Sequence, residues 1–337
     1  MRIIREGVGA IVQATFVEIG RIPYGWRKLA AGVALCVLAL ATCVLVARRL
    51  TSASWPLAHA DAAFVVMGGA AYLASFAFRA QGWRQVFPRR QRPDYARCLA
   101  ACGAAAASGA VLPFRLDYVV KITMLRRLRG VTLELDTIVL SIVTLGLVDA
   151  AVTLPLAIAA ISTSGAVFVA PLTVVILFCL CCLGILLVGR RLPRLPLVGR
   201  SRRATTVCER VAETSAVTRS TLVAGAFLFA CWTLRALGSA FLLTALGAGF
   251  SPTLALVVLC MAGAAAILPI TSGGAIAGMG ATAGVLFALG ASKDVAINFS
   301  LASGLLLIIA ALTAAVAGLA GSVGRVLIER VAVGARF

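Results

Sequence analysis

Long apolar runs alternate with short polar and basic segments along this chain. After a mixed, basic start, apolar runs occupy roughly 29–47, 60–86, 98–113, 135–160, 166–188, 220–246, 252–290 and 295–320. A helix needs about 20 apolar residues to cross a bilayer. The pattern therefore predicts an all-α polytopic membrane protein with about six full spans, and it leaves 98–113 and 252–290 to be explained.

Both of these runs are interrupted by helix-breaking residues. The first ends in Leu112-Pro113, and the second contains Leu268-Pro269 followed by Thr271-Ser272-Gly273-Gly274. Proline removes a backbone donor, and adjacent glycines hold a helix weakly. Broken backbone at membrane depth is tolerated only where protein buries it or where it lines a watery cavity. Pro113 and Pro269 are therefore predicted hinge positions, and Ser272, Gly273 and Gly274 are candidate binding residues.

The two broken runs also share their surroundings. Arg79-Ala80-Gln81-Gly82 and Arg235-Ala236-Leu237-Gly238 have the same pattern, and each lies 34 positions before its Leu-Pro proline, counted from the arginine. Paired interrupted hydrophobic segments in two halves are typical of transporter binding sites. The spacing predicts an internal repeat, with repeat 1 at about 57–165 and repeat 2 at about 220–321.

Charge indicates how the chain is threaded. Hydrophobic residues make up 61% of the sequence, charged residues 13%, and the net charge is +19. If 98–130 is a re-entrant hairpin, 27 of the 31 basic residues fall on the cytoplasmic side, as the positive-inside rule favours. Since successive spans alternate in direction, 252–290 then enters the membrane from the outside. The sequence thus predicts two re-entrant helical hairpins in an inverted repeat, with both termini cytoplasmic in the cell membrane.

Two basic segments lie outside the predicted repeats. Residues 1–28 combine arginines with an apolar stripe, which predicts an amphipathic helix on the inner surface rather than a cleavable signal peptide. A transmembrane domain is expected over 29–337, with 189–219 as its basic cytoplasmic linker. The basic residues flank apolar spans, so anionic lipid explains them better than nucleic acid does.

Charged residues within the apolar regions are the candidate substrate-binding residues. They are Arg79, Arg115, Lys121, Asp149 and Arg235. A guanidinium at bilayer depth costs at least ~2.5–3.5 kcal/mol on insertion scales. We therefore expect Arg235 to lie within ion-pair reach of Asp149, directly or through a water. For Arg79, Arg115 and Lys121, anchoring by the positive-inside bias and head-group binding remain alternatives. For Ser272–Gly274, close helix packing is the alternative.

Several chemistries are not expected. Most of the ten cysteines lie in apolar runs and only one histidine is present, so a metal site is not predicted. No Walker A motif occurs, and no cofactor is expected.

The chain resembles the flippase-like transmembrane family named after lysylphosphatidylglycerol synthase, which includes the membrane half of multiple peptide resistance factor. The residues that carry the resemblance are Arg79 and Trp83, the segment Leu112–Tyr118 leading to Lys121, Asp149, and Leu268–Gly274. It covers about 60–320 and implies a lipid flippase-like fold.

The sequence also departs from that family pattern. Tyr118 and Met279 stand where the family tends to have glutamate, and Gly146 stands where an arginine often precedes the aspartate. No counterpart of the family's soluble aminoacyltransferase domain is expected, because about sixteen residues follow the last predicted span. The absence of these carboxylates predicts that the head group is not cationic.

The leading hypothesis is an integral membrane lipid translocase, not an enzyme, that moves an anionic phospholipid or a polyprenyl-phosphate-linked lipid. The first alternative is a non-transporting partner of a lipid or cell-envelope synthase. The second is an intramembrane lipid-phosphate enzyme, for which only Asp117 and Asp149 offer acid or base groups. The sequence leaves open a homo-oligomer, the lipid, the direction and any coupling ion.

Overall fold

The computed structural model describes residue 57 and residues 60–111, 116–127, 133–188, 218–267 and 274–334, and throughout these ranges the chain is helical without a strand. The α-helices are α1 (Ala62–Val86), α2 (Tyr95–Val111), α3 (Asp117–Arg127), α4 (Leu135–Thr163), α5 (Ala166–Val188), α6 (Arg219–Ala245), α7 (Pro252–Ile267), α8 (Gly274–Ala288) and α9 (Lys293–Gly334). A short 3-10 turn, Arg89–Gln91, follows α1.

Five of these helices are long and apolar enough to cross a membrane by length and composition. They are Ala62–Val86, Leu135–Thr163, Val167–Val188, Arg219–Ala245 and Lys293–Ser322. The prediction of an all-helical protein with long apolar helices is thus confirmed. The predicted amphipathic segment 1–28, the first predicted span at 29–47 and residues 189–217 of the basic linker lie outside the described residues.

Local signals set the ends of the long helices. Asp61 caps α1, with its Oδ1 accepting a hydrogen bond from the Ala63 N–H at 2.9 Å, and Thr218 caps α6 by accepting from the Thr221 N–H at 3.2 Å. Such caps satisfy amide donors that the first helical turn leaves unpaired. Gly247 follows α6 with a φ of 80°, a left-handed conformation that glycine adopts without strain.

The helices before and after α5 follow the same order. We call α1–α4 the first helix set and α6–α9 the second helix set. The four helices of the second set begin 157 or 158 positions after their counterparts in the first. In each set a long helix is followed by two shorter ones and then by another long one. Helix α5 stands between the sets.

Helices α1 and α6 form an antiparallel pair that joins the two sets. At one end the rings of Phe64 and Phe241 lie 6.3 Å apart, and at the other the Ser220 hydroxyl donates to the Gln85 carbonyl at 2.8 Å. Between these ends Gly68 and Gly238 bring the backbones together, since a Cβ built on either would lie 3.1 Å from the carbonyl oxygen of the other. Small residues at the crossing permit this close approach.

A second close contact joins α2 to α9, one helix from each set. A Cβ added to Gly103 would overlap the Ala311 carbonyl oxygen, and one added to Gly318 would overlap the Ala96 carbonyl oxygen. Glycine and alanine thus let the two backbones touch over several turns. This contact fixes the first broken segment against the last long helix.

Candidate functional site

The site is centred on Asp149, an acidic side chain on α4. Its Oδ2 accepts a hydrogen bond from Arg79 Nη2 of α1 at 2.5 Å, and its Oδ1 accepts one from Trp232 Nε1 of α6 at 2.6 Å. One carboxylate therefore links α4 to both members of the central antiparallel pair. Only 14% of the Asp149 side chain is exposed. Charge-assisted hydrogen bonds of this kind are short and are stronger than neutral ones.

Arg79 keeps one unused donor in this arrangement. Its Nη2 is taken by Asp149, whereas its Nη1 is buried without a hydrogen-bond partner among the described residues. Most buried polar atoms in proteins have a partner, and one without a partner calls for an explanation. Arg79 was predicted as a candidate binding residue, with positive-inside anchoring as the alternative. The structure gives Arg79 an ion pair with Asp149 on α4, and head-group binding stays a prediction.

Arg235 lies one helical turn from Trp232 but does not contact Asp149 directly. Its Nε donates to Ser75 Oγ at 3.3 Å, and its guanidinium carbon lies 5.4 Å from the ring centroids of both Phe76 and Trp232. The direct form of the expected Arg235–Asp149 ion pair is therefore wrong, and contact through a water stays a prediction. The physical reason is that Arg79 and the Trp232 indole already occupy the two carboxylate oxygens.

Lys121 approaches the same region from α3. Its side chain is 7% exposed, and its Nζ lies 4.1 Å from the centroid of the Trp83 ring. Trp83 is fully buried and donates from Nε1 to Ser141 Oγ of α4 at 3.1 Å, which fixes the indole. An ammonium over an indole face is a favourable cation–π contact, but it does not neutralise the charge. Lys121 makes no ion pair or hydrogen bond with another described side chain.

The structure thus brings four of the predicted site residues into one region: Arg79, Lys121, Asp149 and Arg235. Gly274 is the first residue of α8. Pro113, Arg115, Pro269, Ser272 and Gly273 lie outside the described residues, as does the side chain of Met279. Tyr118 is exposed on α3.

Sequence analysis named Trp83 only as part of the family resemblance, and it missed the other neutral members of the site, Trp232 and Ser75. Trp232 donates to Asp149, Trp83 stacks under Lys121, and Ser75 accepts from Arg235. Trp232 lies three positions before Arg235, and Trp83 four positions after Arg79, so each tryptophan shares a helix face with an arginine. That pairing of a tryptophan with a deep cation, three or four positions apart, was the available signal.

A separate basic group lies beyond the C-terminal end of α1. Arg92 donates from Nη2 to Ser220 Oγ at 3.1 Å, and Arg84 donates from Nε to the Pro93 carbonyl at 3.2 Å. Burial lowers the pKa of Arg92, and the positive charges of Arg84 and Arg89 lower it further. These contacts tie the end of α1 to the start of α6 and concentrate positive charge there.

Within the described ranges, no three His, Cys, Asp or Glu side chains gather as a metal site requires. Comparison with known proteins finds no matching family model, no matching curated protein and no matching solved structure. The function must therefore be inferred from the site itself.

Proposed function

We propose that this protein is an integral membrane lipid translocase of the flippase-like kind, moving an anionic phospholipid or a polyprenyl-phosphate-linked lipid across the cytoplasmic membrane. The observation that carries the proposal is the group of interior charges where α1 and α6 cross. Arg79, Lys121 and Arg235 supply three cations there, and Asp149 supplies one anion. Ionisable groups inside a membrane protein are costly and mark substrate pathways by default.

The arrangement of the helices supports the same proposal. Because α1 and α6 are antiparallel, the two helix sets that begin with them run in opposite directions if both helices span. Helices α2 and α7 have 17 and 16 residues, or about 25 Å at 1.5 Å per residue, which is less than the hydrocarbon thickness of about 30 Å. Each is followed by another helix within a few residues. In our proposal these pairs are re-entrant hairpins of an inverted repeat, entering from opposite sides.

The proposed substrate follows from the sign of the site. Its surplus of positive charge favours a phosphate over a cationic head group, and no carboxylate stands at Tyr118. The hairpins would line a groove through which the head group crosses while its acyl or prenyl tails stay in lipid. No coupling ion is specified by these residues.

A vesicle assay tests the proposal. Vesicles containing the purified protein and tail-labelled fluorescent phosphatidylglycerol are treated with a membrane-impermeant reductant. If the protein moves the lipid, both leaflets are bleached; without movement, only the outer leaflet is. We expect Arg235→Gln to abolish movement and Lys293→Gln, an equal charge change at an exposed position, to leave it intact. Failure of the wild-type protein to move phosphatidylglycerol, or equal movement of the lysyl-modified lipid, contradicts the proposal.

The proposed orientation has its own test. On a cysteine-free background, single cysteines at positions 201 and 292 are labelled in intact cells with a membrane-impermeant maleimide. We expect labelling at 292 and protection at 201, because the basic linker should be cytoplasmic. Labelling of position 201 from outside would contradict both the proposed topology and the inverted repeat.

A further inference from the structure

We infer that Arg79 and Lys121 together form a binding site for one phosphate group, and that Arg235 lies outside this site. If the phosphate belongs to a lipid head group, the inference rests on the proposed function and narrows it. It assigns the head group to α1 and α3 of the first helix set. As a phosphate site it stands on the geometry alone.

The first observation is the unused capacity of Arg79. Its guanidinium is oriented by the Asp149 carboxylate through Nη2, and this orientation leaves Nη1 buried without a protein acceptor among the described residues. Guanidinium groups recognise phosphate and carboxylate with two parallel donors. Here one nitrogen holds the protein's own carboxylate, and the other is left for an oxygen of a second anion.

The second observation is the position of Lys121. Trp83 follows Arg79 by one turn on α1, and Lys121 Nζ lies over the Trp83 ring at 4.1 Å. Lys121 is therefore held beside the turn of α1 that follows Arg79, within electrostatic range of the Arg79 guanidinium. Cys102 lies within electrostatic range of both Lys121 and Arg79, which places the two cations around the same part of α2.

Among the described residues, Arg79 and Lys121 share one directly contacting carboxylate, that of Asp149 on Arg79. Asp149 neutralises one positive charge and is committed to Arg79 and Trp232. Asp117 stands one turn before Lys121 on α3 but forms no ion pair with it. Among the described residues, Lys121 is therefore a nearly buried cation that contacts the Trp83 ring and has Asp149 and Asp117 within electrostatic range but in no ion pair with it. Buried charges persist in proteins where they are paired, and removing a partner from one is strongly destabilising.

Arg235 differs from these two residues in its contacts. It is partly exposed, its Nε is held by Ser75, and its guanidinium lies beside the two aromatic rings of Phe76 and Trp232. It belongs to α6, one turn after Trp232. We therefore leave Arg235 outside the phosphate site and assign the site to Arg79 with Lys121.

The test measures binding in detergent, independently of lipid movement. Thermal unfolding of the purified protein is followed with two probes, dihexanoyl phosphatidylglycerol and inorganic phosphate. We expect the wild type to be stabilised by at least one probe, and Lys121→Met to lower that probe's affinity at least tenfold. Arg126→Gln removes a charge from an exposed position of the same helix and should leave affinity unchanged. A response to phosphatidylglycerol alone identifies a lipid head group, and an equal response to inorganic phosphate identifies a free-anion site.

A second readout distinguishes binding from a structural role. Without a probe, Lys121→Met should unfold at the same temperature as the wild type or a higher one, because it removes a nearly buried cation that forms no ion pair with any described residue. Arg79→Lys keeps the charge opposite Asp149 but removes the second guanidinium nitrogen, so it should also lower affinity while the protein stays folded. This variant tests the inference even if Lys121→Met fails to fold.

The results also separate this inference from the proposed function. Wild-type protein that binds phosphatidylglycerol through Lys121 but moves no lipid supports the inference and overturns the translocase. Wild-type protein that moves lipid while Lys121→Met retains wild-type affinity overturns the inference only. No response of the wild type to either probe also overturns it.

Discussion

The first and second helix sets follow one another in the same order, yet most of the interior charge belongs to the first. Arg79 and Arg235 stand 156 positions apart at matching places on α1 and α6. At the same spacing, Lys121 corresponds to Ala277 and Asp149 corresponds to Leu305. The first set therefore carries a nearly complete polar site, and the second contributes one arginine and a tryptophan. The shared order of helices does not explain this difference, and the chemistry of the site does.

Packing differs between the sets as well. Helices α2 and α9 touch through Gly103 and Gly318, whose places would not accept a side chain without a backbone shift. At a spacing of 156 positions, the corresponding residues of α7 and α4 are Leu259 and Ser162, so the matching contact lacks the glycines. Close glycine contacts leave little freedom to slide. We expect any movement of one set against the other to occur along α7 and α4.

The largest expected effect comes from replacing Asp149, the interior carboxylate that has no counterpart in the second set. Asp149→Leu leaves Arg79 charged and unpaired in the interior, and breaking a buried pair in this way costs about 3–5 kcal/mol. The double variant Arg79→Leu with Asp149→Leu should recover most of that loss. Thermal unfolding in detergent measures both variants. If the double variant is no more stable than Asp149→Leu alone, the pair does not make the contribution that its geometry indicates.

A smaller effect is expected where α2 meets α9. Gly103→Ala puts a methyl group against the Ala311 carbonyl, and overpacking of this kind costs about 1–3 kcal/mol. Gly184→Ala in α5 is the matched control, because a Cβ there meets nothing within 4 Å. It should be neutral or slightly stabilising, since alanine favours helix more than glycine does. Equal unfolding temperatures for the two variants would show that α2 and α9 can shift apart enough to accommodate the added methyl group.

The two matching arginines should also differ in their structural contribution. Arg79→Gln should destabilise the protein more than Arg235→Gln, because Arg79 has a carboxylate partner at 2.5 Å and Arg235 has a hydroxyl at 3.3 Å. We expect a loss of about 1 kcal/mol for Arg235→Gln, in the range of a single hydrogen bond. Comparison of the unfolding temperatures of the two variants tests which arginine contributes more to stability. An equal loss at both positions would mean that the second set depends on its arginine as much as the first.

Much of the fold follows from the sequence because apolar length and helix breakers act locally. The runs at 60–86, 135–160, 166–188, 220–246 and 295–320 became five long helices, since their apolar length favours helix even where Pro155 and Pro171 lie inside. The candidate residues Arg79, Lys121, Asp149 and Arg235 were found for the same reason, as charges that stand out against apolar surroundings.

The choice of partners did not follow from the sequence. Arg235 and Asp149 were matched because each was the deepest charge of its sign. That rule left out Arg79, for which anchoring by the positive-inside bias and head-group binding both stood as alternatives. Which cation reaches the carboxylate depends on how α1, α4 and α6 cross, and no local pattern specifies this. Neutral donors such as Trp232 are also hard to select, because an indole fits an apolar helix without needing a charge nearby.

The smallest predicted effect concerns a contact that the two sets do not share. On one side of the α1–α6 crossing the hydroxyls of Tyr72 and Ser239 lie 3.0 Å apart in a buried hydrogen bond. At the spacing of 156 positions, Tyr72 corresponds to Leu228 and Ser239 corresponds to Trp83. Leu228 and Trp83 belong to one apolar cluster. Tyr72→Phe should cost about 0.5–1.5 kcal/mol, since it leaves the Ser239 hydroxyl without its partner.

Adding Ser239→Ala to Tyr72→Phe sharpens this comparison. The double variant makes the Tyr72 side of the crossing as apolar as the other, so the added loss should be smaller than that of Ser239→Ala alone. Thermal unfolding of the wild type, both single variants and the double variant gives the coupling between the two hydroxyls. A coupling near zero would mean that this hydrogen bond adds nothing to the close backbone approach at Gly68 and Gly238, and that the two sides of the α1–α6 pair are energetically alike despite their different side chains.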